Sequence, residues 1–353
     1  MVPVRRSTRT VAAAALVVLA VTACSSTSPS GTGGATGAAG ASAPVGVDFP
    51  RADTDFWNSY IKYVPQFAKD LGVNMMQPTN SQNKVENLVA NVQTLTSQGA
   101  KAIVMAPQDT GAIATTLQRL EQQKIPVVTV DTRPDQGKVY MVVRADNKAY
   151  GEKACKFLGD KLGGKGKVVE FQGALSSING RDRSEAFKAC MSKDYPGITV
   201  FEEPTEWEGS KASAALQTRL TQNPDIKGIY MQAGGAFLAP TLQVLKSTNH
   251  LLPATDPNHI FVVSNDGIPQ EFASIRKGEI DATVSQPADL YAKWALFYAK
   301  AALEGKTFQP GKTDHDSTII DVGNGNLEDQ LAAPLVTKDN VDDKALWGNQ
   351  IGS

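Results

Sequence analysis

Residues 85–109 read VENLVANVQTLTSQGAKAIVMAPQD. In the first half, Val85, Leu88, Val89, Val92 and Leu95 recur at i, i+3, i+4 and i+7, which puts apolar side chains on one face of a helix. In the second half, residues 102–105 form a short unbroken apolar run, the form of a strand buried on both faces. A helix followed by a buried strand is the repeating unit of a parallel α/β sheet.

The unit recurs on either side. Upstream lie an apolar run at 45–49, a helical pattern over 55–71 and a run at 73–77; downstream, Ile113, Leu117 and Leu120 mark a helix before a strand at 126–130. A second series places strands at 167–171, 198–201, 228–231 and 260–264, with helices over 181–191, 211–220 and up to Lys246. Between the two series, residues 131–146 break the rhythm with Pro, Gly and a short strand at 139–143, as a crossing between lobes does. A closed (β/α)8 barrel would need eight equivalent units in one ring. The expected architecture is therefore α/β, with two open Rossmann-like lobes.

The 353-residue chain leaves about 309 residues from Val45 onward for these lobes. Arg5, Arg6 and Arg9 precede an apolar run at 11–21, the layout of a secretory signal and too short for a stable membrane span. The run ends in Val21-Thr22-Ala23-Cys24, which resembles the bacterial lipobox; the resemblance implies cleavage of residues 1–23 and lipidation of Cys24. Residues 24–44 are almost wholly Ser, Thr, Gly, Ala and Pro, a tether composition. Removal of the signal leaves 32 basic against 36 acidic residues, so no basic excess points to nucleic acid. Three cysteines and three histidines leave little material for zinc or haem, and no metal or cofactor is expected. Cys155 and Cys190 fall on helices flanking one strand of the second lobe, as a disulfide or as two buried thiols. Neither a G-x-S-x-G elbow nor an H-E-x-x-H pair occurs, and residues 163–167 lack the spacing of a phosphate loop.

In open α/β sheets ligands bind beyond the carboxyl ends of the strands. Asp53, Asp55, Phe56 and Trp57 follow the first strand, Asp131 the fourth, and Trp207 and Asp266 follow strands of the second series. A carboxylate accepts from two adjacent hydroxyls and an aromatic face covers the C–H side of a sugar ring, so this set suits a neutral polyhydroxylated ligand. Taken singly, each residue could be a helix cap or a core aromatic.

Six motifs carry a family resemblance: Asp55-Phe56-Trp57, Ala106-Pro107-Gln108-Asp109, the strand 126–131 ending in Asp131, the run 180–187 containing Arg183, Asn265-Asp266-Gly267, and the run 282–287 containing Gln286. In this order, from Val45 to about Val322, they resemble the sugar-binding proteins of the ribose, galactose and xylose type, the class I extracytoplasmic receptors of ABC importers. The resemblance implies two lobes joined by three hinge strands, with sugar in the cleft between them. It implies a first lobe of residues 45–145 with 287–315 and a second of 146–286 with 316–353. It also implies a monomer outside the cell membrane, an ABC permease as partner and no enzymatic activity. By position, Phe56 and Trp57 match the aromatics of one wall and Trp207 that of the other; Asp131 and Asp266 match the carboxylates, Arg183 the arginine and Gln286 the hinge amide. The chain departs from the ribose pattern at Thr132, in place of an arginine, at Thr54 and at Ala233, each in place of an asparagine. These departures imply another ligand: a deoxy sugar, a polyol or another pentose. The rival readings are a receptor for a sensor partner or a furanosyl autoinducer, and an exported saccharide-active enzyme.

Overall fold

A computed structural model describes residues 43–351. The expected signal sequence, Cys24 and all but the last two residues of the tether lie outside the described residues.

The first run of chain forms β1 (Val45–Phe49), α1 (Asp55–Asp70), β2 (Thr79–Asn80), α2 (Val85–Ser97), β3 (Ala102–Met105), α3 (Ala114–Gln122), β4 (Val127–Val130) and β5 (Met141–Ala145). The second forms α4 (Asn147–Lys161), β6 (Lys165–Gln172), α5 (Ile178–Asp194), β7 (Gly197–Pro204), α6 (Gly209–Gln222), β8 (Ile226–Met231), α7 (Gly234–Ser247), β9 (Phe261–Asp266), α8 (Pro269–Lys277) and β10 (Ala282–Ser285). The chain then returns through α9 (Ala288–Leu303), β11 (Gly311–Lys312), β12 (Thr318–Asp321) and β13 (Leu327–Leu331). It ends with β14 (Leu335–Thr337) and a 3-10 turn at Trp347–Asn349.

Two sheets result, in the orders β11-β12-β13-β5-β4-β3-β1-β2 and β14-β10-β9-β8-β6-β7. Pairing is parallel apart from β11 with β12, β12 with β13 and β10 with β14. Each sheet is covered on both faces, so central strands such as β1, β3 and β4 are buried along their whole length. Side-chain alternation sorts the core: Ala102 and Val104 face α1 and α9, whereas Ile103 and Met105 face Leu88, Val92 and Leu95 of α2. In the second sheet Val169 and Phe171 pack under α6, α7 and α8, and Val168 packs under α4 and α5. There Cys155 and Cys190 form a disulfide, with Cα atoms 6.2 Å apart, joining α4 to α5.

The chain passes between the sheets three times, after β5, after β10 and after β13. Two expectations are corrected. Residues 131–146 are not themselves the crossing, because they include β5, which pairs with β4 in the first sheet. The final return also comes later than residue 316. Strands β12 and β13 extend the first sheet, and only the chain from about Leu335 joins the second. The acidic residues of β13 explain this placement. Glu328 is buried 3.7 Å from Arg144 of β5, and Asp329 accepts hydrogen bonds from Tyr298 and Ser317. Both carboxylates find their partners only in the first lobe.

Candidate ligand-binding cleft

The ends of the parallel strands from both sheets converge on one cavity. Its empty volume is about 470 Å³, counting the space open to solvent at its mouth. Asp131 follows β4 and Asp266 ends β9, one from each lobe, and both are buried. Their backbones are held at φ +64° and +119°, which turns each side chain away from its strand's continuation. Such conformations are uncommon outside glycine and cost energy that the surrounding fold must hold.

The two carboxylates differ in what they already hold. Asp266 accepts from the Gly235 N–H at 2.7 Å and from Gln286 Nε2 at 2.6 Å. Asp131 accepts from Asn179 Nδ2 at 3.0 Å through Oδ2, whereas its Oδ1 and the neighbouring Thr132 Oγ1 are buried without a protein partner. Burial pushes both carboxyl groups above the usual carboxylate range, against the opposing pull of Arg183. The guanidinium of Arg183, 2% exposed, is fixed on several sides. It donates to Asn147 Oδ1 at 2.7 Å, to the Gln232 carbonyl and to Gln286 Oε1 at 3.3 Å, and lies 5.0 Å from the Tyr150 ring centroid. A charge pinned in this way cannot swing aside, so the donors it turns to the cavity keep a fixed direction.

Aromatic rings form the walls. Phe56 and Trp57 open α1 and pack edge to face, with centroids 5.2 Å apart. Phe56 is braced from behind by Tyr291 and by Trp347 of the C-terminal stretch, so that stretch supports the site indirectly. Opposite, Trp207 stands at φ +62° and stacks on Phe237. It lies flat over Gly173, where a Cβ would come within 2.0 Å of the indole. Gly234 has a similar need at the start of α7: a Cβ there would fall 2.1 Å from Glu271 Oε1.

The cavity is lined by Phe56, Trp57, Asp131, Thr132, Arg183, Trp207, Ala233, Asp266 and Gln286, all named from the sequence. Asp55 is not among them. It is exposed in the first turn of α1, where a carboxylate favours the positive end of the helix dipole, and Thr54 Oγ1 accepts from the Trp57 N–H. Six further lining residues were not assigned to the site: Arg51, Thr54, Gln108, Ser177, Asn179 and Ala236. Arg51 lies beyond the end of β1, the address already searched, but arginine was not a residue type sought there, and Thr54 entered only as a departure from the ribose pattern. Gln108 sits inside a quoted motif and Asn179 one residue before another. Ala236 gives no sequence signal. Among the described residues no group of His, Cys, Asp and Glu could hold a metal ion.

Residues 45–307 match the family model for the periplasmic binding protein domain. The chain belongs to the periplasmic binding protein family. Within that family it is 28% identical over 265 residues to the ribose import binding protein of Bacillus subtilis, covering 75% of this chain and 83% of that one. It is 24% identical over 265 residues to a xylitol-binding protein of Mycolicibacterium smegmatis, covering 74% and 68%. A solved ABC transporter solute-binding protein from Mycobacterium smegmatis, with glycerol bound, superposes with a TM-score of 0.73 at 25% identity, covering 85% of this chain and 96% of the other. The two-lobed fold and the sugar-receptor resemblance read from the sequence motifs agree with these relatives.

Proposed function

We propose that the protein is the extracytoplasmic solute receptor of an ABC-type importer, tethered to the membrane through a lipid on Cys24, and that it closes on a neutral monosaccharide or polyol. The observation that carries this reading is the pair of buried carboxylates facing one cavity from opposite lobes, with Asp131 Oδ1 unpartnered and aromatic walls around them. Two carboxylate acceptors and one fixed arginine suit vicinal hydroxyls and disfavour an anionic ligand. A ligand held by both lobes binds the closed form better than the open one and so shifts the population toward closure. This is binding without chemistry on the ligand, and the permease reads the closed body.

The ligand differs from ribose in this reading. Thr132 and Ala233 line the cavity with shorter side chains than the arginine and asparagine of the ribose pattern, and a hydroxyl left unpaired there costs roughly 1 to 3 kcal/mol. A polyol, a deoxy sugar or another pentose remains. Titrating a panel of pentoses, hexoses, deoxy sugars and polyols should raise the melting temperature for one or a few of them. A panel without any shift would sink the sugar assignment. Membrane extraction followed by mass spectrometry should find acyl chains on Cys24, and Cys24→Ser should release the protein.

A further inference from the structure

We propose that Thr110 is a positioning residue for binding: it caps helix α5 from the opposite lobe and holds the cleft closed through contacts made between the lobes themselves. The inference rests on the cleft being one that closes.

The first N–H groups of any helix lack partners within it. Ser177, the residue at the N-cap of α5, makes no capping bond with its side chain. The acceptor comes from the other lobe, where Ile178 N–H donates to Thr110 Oγ1 at 3.2 Å. Thr110 stands in the loop between β3 and α3, fully buried, and its hydroxyl is saturated. It also accepts from Arg181 Nη2 at 3.2 Å, and its single proton faces both Asp135 Oδ1 at 3.1 Å and the Ser176 carbonyl at 3.2 Å; the Thr110 N–H donates to that carbonyl as well. Arg181 pairs in addition with Asp135, whose N–H donates to the Thr110 carbonyl at 2.9 Å, tying two first-lobe loops together.

The next residues of α5 continue the row. Asn179 donates to Asp131, and Arg144 Nη2 of β5 donates to Asn179 Oδ1 at 2.7 Å and to Asp182 Oδ2 at 3.0 Å. All of these bonds except those between Asp135 and Thr110 join the second lobe to the first, and none requires a ligand. Opening the cleft breaks them together and strips α5 of its cap. Closure therefore has a protein-to-protein component, and the apparent affinity scales with the fraction of molecules already closed.

The test uses spin labels on cysteines introduced at Glu86 and Glu208, which flank the cleft mouth from opposite lobes. The chain carries Cys24→Ser, so the remaining native cysteines are in the disulfide. Without any ligand, distance distributions should contain a short, closed population. Thr110→Val should lower the ratio of closed to open about fivefold, the size of a lost helix cap, and Thr110→Ser should restore it. Asp135→Asn, on a part-exposed residue, should shift the ratio the same way and guards against a Thr110 variant that fails to fold. A wild-type distribution with only long distances, or Thr110→Val superposing on wild type, would overturn the proposal. Because no sugar is added, the result stands apart from whether the panel finds a ligand.

Discussion

Asp131 and Asp266 occupy matching positions at the ends of β4 and β9, yet they are prepared differently. Asp266 arrives with both oxygens engaged by its own lobe, whereas Asp131 keeps Oδ1 free of protein partners. Asp131→Ala should therefore remove a direct acceptor and cost roughly 1.5 to 3 kcal/mol of binding, read by titration calorimetry with the sugar that the panel selects. Unchanged affinity would mean that the ligand sits elsewhere. Acidity gives a second prediction. Burial raises both carboxyl groups, and only the ionised form accepts two hydroxyls at once. Affinity should thus be full at alkaline pH and fall as the pH drops from neutrality through the raised range; an affinity flat to pH 5 would contradict it. At this scale the site was legible wherever a carboxylate or an indole followed a strand. It was illegible where the cavity is lined by Arg51 or Asn179, because these types occur on any surface. Asp55 misled for the converse reason, since an acidic residue at a helix start serves the helix itself.

Helices and strands were legible in proportion to how cleanly they divide apolar from polar. Helix α2 buries Leu88, Val92 and Leu95 and shows its face in the sequence. Helix α5 buries Asn179, Asp182, Arg183 and Ser184 as well as Phe187 and Met191, because it lies between the second sheet and the other lobe, so no stripe appears. Strand β13 hid for a related reason, two of its three buried residues being Glu328 and Asp329 beside Leu331. Two predictions belong to these elements. The bridge between α4 and α5 closes a 35-residue separation, for which loss of chain entropy on cross-linking amounts to about 3 to 4 kcal/mol. Replacing Cys155 and Cys190 by Ala should lower unfolding stability in urea by that order, and equal stability would show the bridge to be idle. In β6, Glu170 is buried and its pKa is pushed up to about 8 by burial, from an ordinary 4.5. Since the folded value lies above the unfolded one, its stabilising contribution is complete below pH 4.5 and is lost as the pH rises through 8. Glu170→Gln should flatten that decline when urea midpoints are compared at pH 5, 7 and 9.

For the molecule as a whole, the two lobes are linked by two kinds of contact, and these can be separated. Asp266 bonds to Gly235 and Gln286, on the second lobe and at its hinge, and reaches the first lobe only through a shared ligand. Asp131 bonds to Asn179 across the cleft, so it belongs both to the ligand site and to the row of contacts along α5. A variant that only loses a ligand contact weakens binding with the conformational equilibrium untouched, whereas one that loses an interlobe contact also lowers the closed fraction from which binding starts. Asp266→Ala should therefore leave the ligand-free distance between labels at Glu86 and Glu208 as it is in the wild type. Asp131→Ala should lengthen it, and combining Asp131→Ala with Thr110→Val should lengthen it by less than the two shifts added, since both act on the same helix. Equal ligand-free distances for Asp131→Ala and Asp266→Ala would mean that the Asn179 bond contributes nothing to closure. The affinity lost in Asp131→Ala would then be a ligand contact alone.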